Sequence, residues 1–506
     1  MMNMRKPISS RPVGYLHLQQ LLEKKGIQTF PLDYECYVRE KGDTEVITEQ
    51  GYTTKYYKLR YWPGETFWSH LEFALKQETL NLELIAKLFQ SIDPRDVSTY
   101  VSEHKAGKYR RIIWFLYEWL IQRELEISDI KKSPYEAVLQ EEYVFTTQSV
   151  KLKRYALYNN LLGTPWFCPV VEKTKKLQEF IEKKLPERAQ EILQSYDQKT
   201  ISKAVSYLYA KETKSSYEIE HEHPSKERIA RFIRLLEKAE KMGSSIDKTK
   251  LIQLQQEIVD PRYANTDFRS SQNYVGETVM PGKEKIHYIC PRPEDVQKLM
   301  KGWVDCHRLM IEAKIHPVII AATISFGFVF IHPFDDGNGR LHRFIIHQIL
   351  SSLKFTPQGF ILPVSSTMLN NIIEYDRCLE LFSNPLNALI KYSLDQNGAM
   401  TVHGPTDLYY RFPRMTRMAE YLFGCVEKTI ETDFKYELDY LVRYEDTKDT
   451  IRNVIDMPDR KIDLFIRMVS DNMGKLSKNK RNEFYELNDS EIAILETIVR
   501  SKFLSQ

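Results

Sequence analysis

The spacing of hydrophobic residues predicts a protein built mainly from helices. Apolar positions recur at helical intervals between Trp68 and Phe89, and over 109–125 they form one wide apolar face. From 172 to 239 the pattern is helical almost throughout, with breaks expected at Pro186 and at His223-Pro224. We therefore expect a mainly α fold.

The second half of the chain continues this helical pattern. From Leu408 onward the helical spacing is interrupted at Met457-Pro458, and a linker is predicted over 398–404. Between the midpoint of the chain and this linker, helices are predicted over 294–313, 317–331, 339–353, 366–381 and 385–394.

A minority of segments has the composition of strands. The runs 34–38 and 56–59 give the N-terminal part a mixed α/β character. Two further β-prone runs, 277–280 and 285–289, flank Pro281-Gly282 and predict a β-hairpin with its turn at that dipeptide.

Length and composition set the broad class of the protein. A chain of 506 residues suggests about three domains, which we place at 1–190, 191–400 and 401–506. The hydrophobic fraction of 42% and the charged fraction of 28% are typical of soluble globular proteins. A net charge of +3 is small for this length, so a nucleic-acid partner is not expected.

The remaining composition indicates a cytoplasmic location. The start of the chain, 1–10, lacks the apolar run of a signal peptide, and the apolar stretch 317–331 is too short to span a membrane. The six cysteines are scattered without a CxxC pair, so we expect buried, reduced thiols.

Residues 332–343 combine the side chains needed to bind phosphates and accept a proton. Pro333 ends one predicted helix, and the next begins near Gly339, so its free N–H groups can bind an anion. Arg340 and Arg343 share one face of that helix, and guanidinium groups bind phosphate oxygens well. His332 has the pKa range of a general base.

This window resembles the Fic motif HxFx(D/E)GNGRxxR at every specified position. The resemblance implies a Fic-fold helical core with a β-hairpin flap, and transfer of AMP from ATP to a protein hydroxyl. It implies that the histidine is the base, the acidic residue binds Mg²⁺, and the arginines hold the outer phosphates. It also implies that the glycine–asparagine turn holds phosphate oxygens and that the phenylalanine anchors the loop. The matching residues are His332, Phe334, Asp336, Gly337, Asn338, Gly339, Arg340 and Arg343.

Two further segments resemble parts of the same family. Ser216 and Glu220 fit the inhibitory pattern (S/T)xxxE(G/N), except that His221 follows where Gly or Asn is usual. The resemblance implies that Glu220 pairs with Arg343 and occupies the place of the ATP γ-phosphate, with Glu218 and Glu222 as the alternative carboxylates. Tyr375 resembles a residue that lines the adenine side of the pocket.

The resemblance also indicates partners and leaves several reactions open. The hairpin at 276–289 resembles the flap that docks a target protein as an added strand. Self-modification and homodimer formation both remain open. An alternative is the reverse reaction, removal of AMP with Glu220 orienting water, or transfer of UMP, phosphocholine or phosphate. A DNA-binding or scaffold regulator with an idle Fic domain is the alternative from another class.

Overall fold

The computed structural model describes residues 10–49, 52–280 and 283–504, and within these ranges the chain is mainly helical, as predicted. The start of the chain and Pro281-Gly282, where the turn of the hairpin is predicted, lie outside the described residues. The helices are α1 Gly14–Lys24, α2 Phe67–Gln77, α3 Leu82–Gln90, α4 Pro94–Glu103, α5 Lys108–Ile121, α6 Lys175–Glu182, α7 Leu185–Gln194, α8 Gln198–Ile219, α9 Lys226–Lys238, α10 Lys248–Ile258, α11 Pro293–Glu312, α12 Pro317–Ile331, α13 Asn338–Ser352, α14 Val364–Asn370, α15 Ile372–Leu389, α16 Leu408–Arg411, α17 Thr416–Lys428, α18 Lys435–Val454, α19 Asp459–Asp471 and α20 Asp489–Val499.

Small sheets and hairpins accompany the helices. A four-stranded sheet in the N-terminal part has the order β1-β2-β4-β3, with β2 and β4 parallel and the other pairs antiparallel. A three-stranded sheet has the order β5-β7-β6, and β8-β9 and β10-β11 are hairpins. The strands are β1 Ser10–Pro12, β2 Tyr34–Arg39, β3 Glu45–Glu49, β4 Tyr52–Lys58, β5 Glu136–Ala137, β6 Val150–Leu152, β7 Leu157–Asn159, β8 Tyr274–Met280, β9 Lys283–Ile289, β10 Lys391–Leu394 and β11 Met400–His403.

Helix α12 is the central element of the largest core. It is apolar on all sides and almost entirely buried, which is the pattern of a helix enclosed by others. Helices α11, α13 and α17 pack against it. Its start is fixed by Pro317 in the first turn and by His316, whose Nδ1 accepts the Val318 N–H. These contacts place the end of α12 and the start of α13 in a rigid environment.

Three hydrophobic clusters account for most of the buried apolar residues that are described. The largest extends from Leu162 to Ile430 and contains α12 and α13. A second joins the N-terminal elements with Leu408 and Phe412, and a third contains α19 and α20. The division at 1–190, 191–400 and 401–506 stays a prediction.

Two predicted elements near residue 390 are wrong. A separate helix was expected over 385–394 and a linker over 398–404, but α15 continues through Pro385 to Leu389 and the β10-β11 hairpin follows. Local turn chemistry explains the difference. The Asp395 side chain accepts the N–H groups of Asn397 and Ala399, and Gly398 adopts a left-handed φ of 80°. This turn directs the chain back on itself.

Other expectations agree with the structure. The cysteines that are described are all free and buried. Pro186 lies in the first turn of α7, where proline is tolerated, and α8 and α9 are separated at His223-Pro224. No helix among the described residues has the length and apolar character needed to cross a membrane.

Phe167 packs the segment before α6 against the central helices α11 and α12. It is buried beside Gly302 of α11 and Gly327 of α12. A Cβ atom at Gly302 would lie 2.7 Å from the Phe167 backbone nitrogen, and one at Gly327 would lie 2.6 Å from its Cζ atom. Both glycines are therefore required for this close approach.

We predict that Gly302→Ala destabilises the protein by about 1–3 kcal/mol, since the neighbour is backbone and cannot rotate away. The control is Gly424→Ala in α17, where no atom lies within 4 Å of the added Cβ. That change should be neutral or stabilising, because alanine favours helices over glycine. Differential scanning calorimetry of both variants is the measurement, and equal melting temperatures would contradict the prediction.

Candidate functional site

The loop between α12 and α13 is fixed by its own backbone and by Asn338. His332 ends α12 in a left-handed conformation with φ of 51°, and Gly337 precedes α13 with φ of 86°. The Asn338 side chain accepts the Phe334 N–H at 3.0 Å and donates to the Phe334 carbonyl at 2.8 Å. In this structure, then, Asn338 shapes the loop, while its expected contact with phosphate stays a prediction.

Phe334 attaches this loop to the core. Its ring is fully buried and contacts Phe268 and Phe328, with ring centroids 5.5 Å and 6.3 Å away. A large apolar side chain at this position holds a polar loop against the helices by burial alone. The anchoring role expected for Phe334 agrees with this environment.

His332 is oriented and uncharged at neutral pH. Its Nδ1 lies 3.2 Å from the Val329 carbonyl, an acceptor only, so Nδ1 carries the proton and Nε2 keeps a free lone pair. Burial, followed by the nearby charge of Arg269, lowers the pKa of His332 to about 4. A neutral imidazole with a free Nε2 can accept a proton.

Asp336 lies at the mouth of the site with its side chain half exposed. Its Oδ1 accepts the Gly337 N–H at 2.6 Å and an Arg340 N–H at 2.8 Å, which leaves Oδ2 for another partner. Within the described ranges no group of three His, Cys, Asp or Glu side chains forms a metal cage. Mg²⁺ on a nucleotide needs only one or two carboxylates besides phosphates and water, so Asp336 fits that ion.

The first turns of α13 carry two buried arginines. Arg340 is 1% and Arg343 0% exposed. Their positions three residues apart bring both guanidinium groups to one side, next to the free N–H groups of the helix start. This arrangement concentrates positive charge where phosphate groups bind well.

The end of α8 and Glu220 just after it supply the acceptors of Arg343 in this structure. Arg343 donates to Glu220 Oε1 at 3.0 Å, to Ser216 Oγ at 2.8 Å and to the Ser216 carbonyl at 2.6 Å. The Glu220 carboxylate also lies over Gly339, where an added Cβ would meet its Oε1 at 2.1 Å. Glu220 therefore fills the space directly above the start of α13.

Glu222 neutralises the second arginine. Its Oε1 lies 2.9 Å from Arg340 Nη2, and its Oε2 accepts N–H groups of Arg340 at 3.3 Å and of Arg228 at 2.8 Å. Glu222 was expected only as an alternative to Glu220, but the two carboxylates bind different arginines. Glu218, the other alternative, lies exposed at the end of α8.

His221 occupies a left-handed position between the two carboxylates, with φ of 54°. Its N–H donates to the Glu218 carbonyl and the Glu222 N–H to the Tyr217 carbonyl, which is a glycine-type helix end. This geometry explains why Gly or Asn is the usual residue in the resembling pattern, because both adopt positive φ more readily than histidine.

Two residues that position the site escaped the sequence reasoning. Glu212 is fully buried and accepts from His347 at 2.6 Å and from the Ser365 N–H at 2.9 Å, which fixes α8 to α13 and α14. The only sequence feature that could have identified Glu212 is its spacing of eight residues before Glu220, which places both on one helix face. Arg269 donates to the His332 carbonyl at 2.8 Å, and no sequence pattern marks that contact.

The hairpin lies where the sequence predicts it, as β8 and β9 in antiparallel register. The Asn387 side chain bonds the His287 carbonyl and the Ile289 N–H on the outer edge of β9. Strand β8 is largely exposed. Asn273, just before β8, donates to the Asp335 carbonyl at 3.3 Å, which brings the base of the hairpin next to the loop between α12 and α13. Docking of a target at this hairpin stays a prediction.

Tyr375 is buried between His342 and Tyr421 and lies close to the Arg343–Glu220 pair. Burial, modified by these charges, raises the pKa of Tyr375 to about 12. Its hydroxyl is therefore protonated at neutral pH. The expected contact of Tyr375 with adenine stays a prediction.

Comparison with known sequences assigns part of the chain. A sequence model described as the Fic/DOC family matches residues 245–350. Three relatives named protein adenylyltransferase Fic match over short segments. The relative from Culex quinquefasciatus is 33% identical over 99 residues, covering 20% of this chain and 18% of that protein. The one from Drosophila willistoni is 35% identical over 99 residues, with the same coverage. The one from Nematostella vectensis is 33% identical over 90 residues, covering 18% of this chain and 19% of that protein.

Two solved structures are also similar. A Fic family protein from Desulfovibrio desulfuricans G20 has 17% identity and a TM-score of 0.35, covering 65% of this chain and 88% of that one. A Fic domain containing signaling protein from Bacteroides thetaiotaomicron VPI-5482 has 16% identity and a TM-score of 0.36, covering 52% and 97%. The chain spans less than a fifth of the length of the protein adenylyltransferases that it matches. Residues 245–350 are therefore a Fic/DOC family domain, with distant homology to protein adenylyltransferases over about 20% of the chain.

Proposed function

We propose that this protein is a Mg²⁺-dependent protein adenylyltransferase restrained by Glu220. It transfers AMP from ATP to a hydroxyl side chain of a target protein. The observation that carries the proposal is the pairing of an uncharged His332, with Nε2 free, and an anion site whose two buried arginines are neutralised by carboxylates of the same chain.

The groups of the site support one direct transfer step. The target hydroxyl oxygen forms a bond to the α-phosphorus of ATP, and its proton passes to His332 Nε2. The bond from the α-phosphorus to the bridging oxygen breaks, and pyrophosphate leaves with the electron pair. Arg340, Arg343 and the start of α13 stabilise the negative charge on these phosphates. Mg²⁺ on Asp336 would neutralise further phosphate charge.

The restraint follows from competition for Arg343. A buried guanidinium in contact with Glu220 cannot bind a phosphate in the same position. Because the Glu220 carboxylate also covers Gly339, phosphate oxygens cannot approach the start of α13 until it moves. ATP must displace the charge-assisted hydrogen bond between Glu220 and Arg343. Such a bond stabilises the form in which Glu220 occupies the site by roughly 1.5–3 kcal/mol.

The target fits next to the catalytic loop as an added strand. Asn387 bonds the outer edge of β9, whereas β8 is exposed and its base adjoins the loop. Strand addition relies on main-chain hydrogen bonds and thus accepts different target sequences.

Removal of AMP from a modified protein is the second candidate reaction. The observation that favours it is the position of the Glu220 carboxylate, which lies over Gly339 at the start of α13 and could orient a water molecule there. The two directions are separable, because loss of Glu220 should activate transfer but abolish hydrolysis.

We predict that Glu220→Gly raises incorporation of label from [α-³²P]ATP into protein about ten- to hundred-fold, since it removes the anion that competes with phosphate. The assay uses purified full-length protein with Mg²⁺ and cell lysate, so both self-labelling and target labelling are detected. The double variant Glu220→Gly/His332→Ala should lose the labelling.

Four outcomes would contradict this proposal. Equal labelling of wild type and Glu220→Gly, with both folded, would remove the restraint. Labelling that survives His332→Ala would rule out His332 as the base. Labelling from [α-³²P]UTP but not from ATP would change the nucleotide. A shift of labelled DNA by the wild type that persists after His332→Ala, without protein labelling, would favour the regulator with an idle domain.

We predict that Glu222→Gln, introduced into the Glu220→Gly variant, lowers the KM for ATP about three- to tenfold. Glutamine keeps the shape but removes the charge that competes for Arg340, and a partly exposed ion pair contributes about 1 kcal/mol. Glu218→Gln is the matched control, because this exposed side chain is on the same turn and no described contact links it to Arg340. An unchanged KM for ATP after Glu222→Gln would show that Glu222 and ATP do not compete for Arg340.

We predict that the labelling rate of Glu220→Gly changes less than about twofold between pH 7.5 and 5.5. The lowered pKa of His332 keeps its base form present throughout this range. An ordinary histidine with a pKa near 6.5 would lose about tenfold of its base form by pH 5.5. Initial rates in buffers of constant ionic strength are the measurement, with circular dichroism to verify folding. A decline with a midpoint near pH 6.5 would refute the prediction.

A further inference from the structure

Arg269 is a buried cation that binds only backbone carbonyls. It is 3% exposed, and its guanidinium donates to the carbonyls of His332 at 2.8 Å, Ser271 at 2.8 Å and Pro291 at 2.6 Å. Its own backbone N–H donates to the Pro333 carbonyl at 2.8 Å. No carboxylate forms an ion pair with it in the described part of the chain.

The end of α12 provides the negative potential that such a cation needs. The last carbonyls of a helix lack helical partners and carry partial negative charge. At this end the His332 ring and backbone bond the carbonyls of Val329 and Phe328, and the Tyr288 hydroxyl donates to the Phe330 carbonyl. Arg269 completes the set at His332, so the cation is stabilised by the helix end instead of a carboxylate.

The same guanidinium joins the catalytic histidine to both ends of the hairpin. Ser271 precedes β8 and Pro291 follows β9, while His332 and Pro333 begin the catalytic loop. One rigid planar group therefore spans three backbone segments that are distant in sequence. A neutral side chain of similar length cannot supply donors in three fixed directions.

We propose that Arg269 is a positioning residue, which fixes the backbone of His332 and couples its orientation to the hairpin where the target docks. The inference rests on the proposed adenylyltransferase activity. Arg269 does not touch the reacting atoms. It sets the direction of the imidazole relative to the start of α13, and a shift of about 1 Å at a catalytic group can reduce the rate about hundredfold.

The charge of Arg269 gives the role a second signature. The charged groups that act on His332 are Arg269 itself, which lowers its pKa, and Glu220 and Asp336, which raise it. Loss of the positive charge should move the acid limb of the rate to higher pH, whereas lysine should leave the limb unchanged. Loss of a residue needed only for folding would not move the acid limb of the rate.

The test uses Arg269→Lys and Arg269→Gln in the full-length Glu220→Gly protein. We expect both to lower kcat about ten- to hundred-fold with KM for ATP unchanged within about twofold, since the phosphate site is intact. Only Arg269→Gln should shift the acid limb upward. The control is Arg292→Gln. Arg292 lies one residue beyond Pro291, pairs with Asp295, and forms no described contact with the loop.

The outcomes separate this inference from the proposed function. If Glu220→Gly itself transfers no AMP, the proposed function fails. If Glu220→Gly is active and Arg269→Lys retains its kcat, or loses activity only through KM, the positioning role is overturned. If Arg269→Gln does not fold, Arg269→Lys tests the positioning role alone, because that role predicts a lower kcat with an unchanged KM. Failure of both variants to fold would assign Arg269 to stability and also overturn the proposal.

Discussion

The buried positive charge at the start of α13 is the constraint on which the site depends. A guanidinium removed from water needs an anion or several acceptors in contact, because an unpaired buried charge costs several kcal/mol. In this structure Glu220 and Ser216 meet that need for Arg343, and Glu222 and Asp336 meet it for Arg340. Phosphate groups have the same charge and acceptor geometry. Under the proposed function, the end of α8 and a nucleotide would therefore compete for one place.

This competition requires that α8 itself stays in place. Glu212 is buried two turns before Glu220 and bonds His347 of α13 and Ser365 of α14. Because these contacts are far from solvent, separating α8 from the core would expose a polar network that only the folded state satisfies. The last turn is different, since the Glu220 side chain is 33% exposed. Under the proposed function, release of Arg343 therefore needs only a rearrangement of that last turn.

The parts of the site that the sequence predicted are those encoded within one window or one helix. Residues 332–343 contain His332, Asp336 and both arginines, and the helical spacing around them identified α12 and α13. Arg269 lies 63 residues from His332 and binds carbonyls, which every residue possesses, so no residue type on the acceptor side marks the contact. The β10-β11 hairpin was missed because the Asp395 turn outweighed the helical spacing across Pro385.

The turn at His221 connects the departure from the family pattern with the second carboxylate. A left-handed conformation costs a residue with a side chain roughly 1–2 kcal/mol relative to glycine, so His221 makes this turn less stable than glycine would. The same conformation reverses the chain and directs Glu222 onto Arg340, while Glu220 stays on Arg343. A partly exposed ion pair of this kind contributes about 1 kcal/mol, which is comparable with the cost at His221. The segment 220–222 thus binds two arginines with two carboxylates, and the Glu222–Arg340 pair offsets a strain that the Glu220–Arg343 pair would otherwise have to overcome alone.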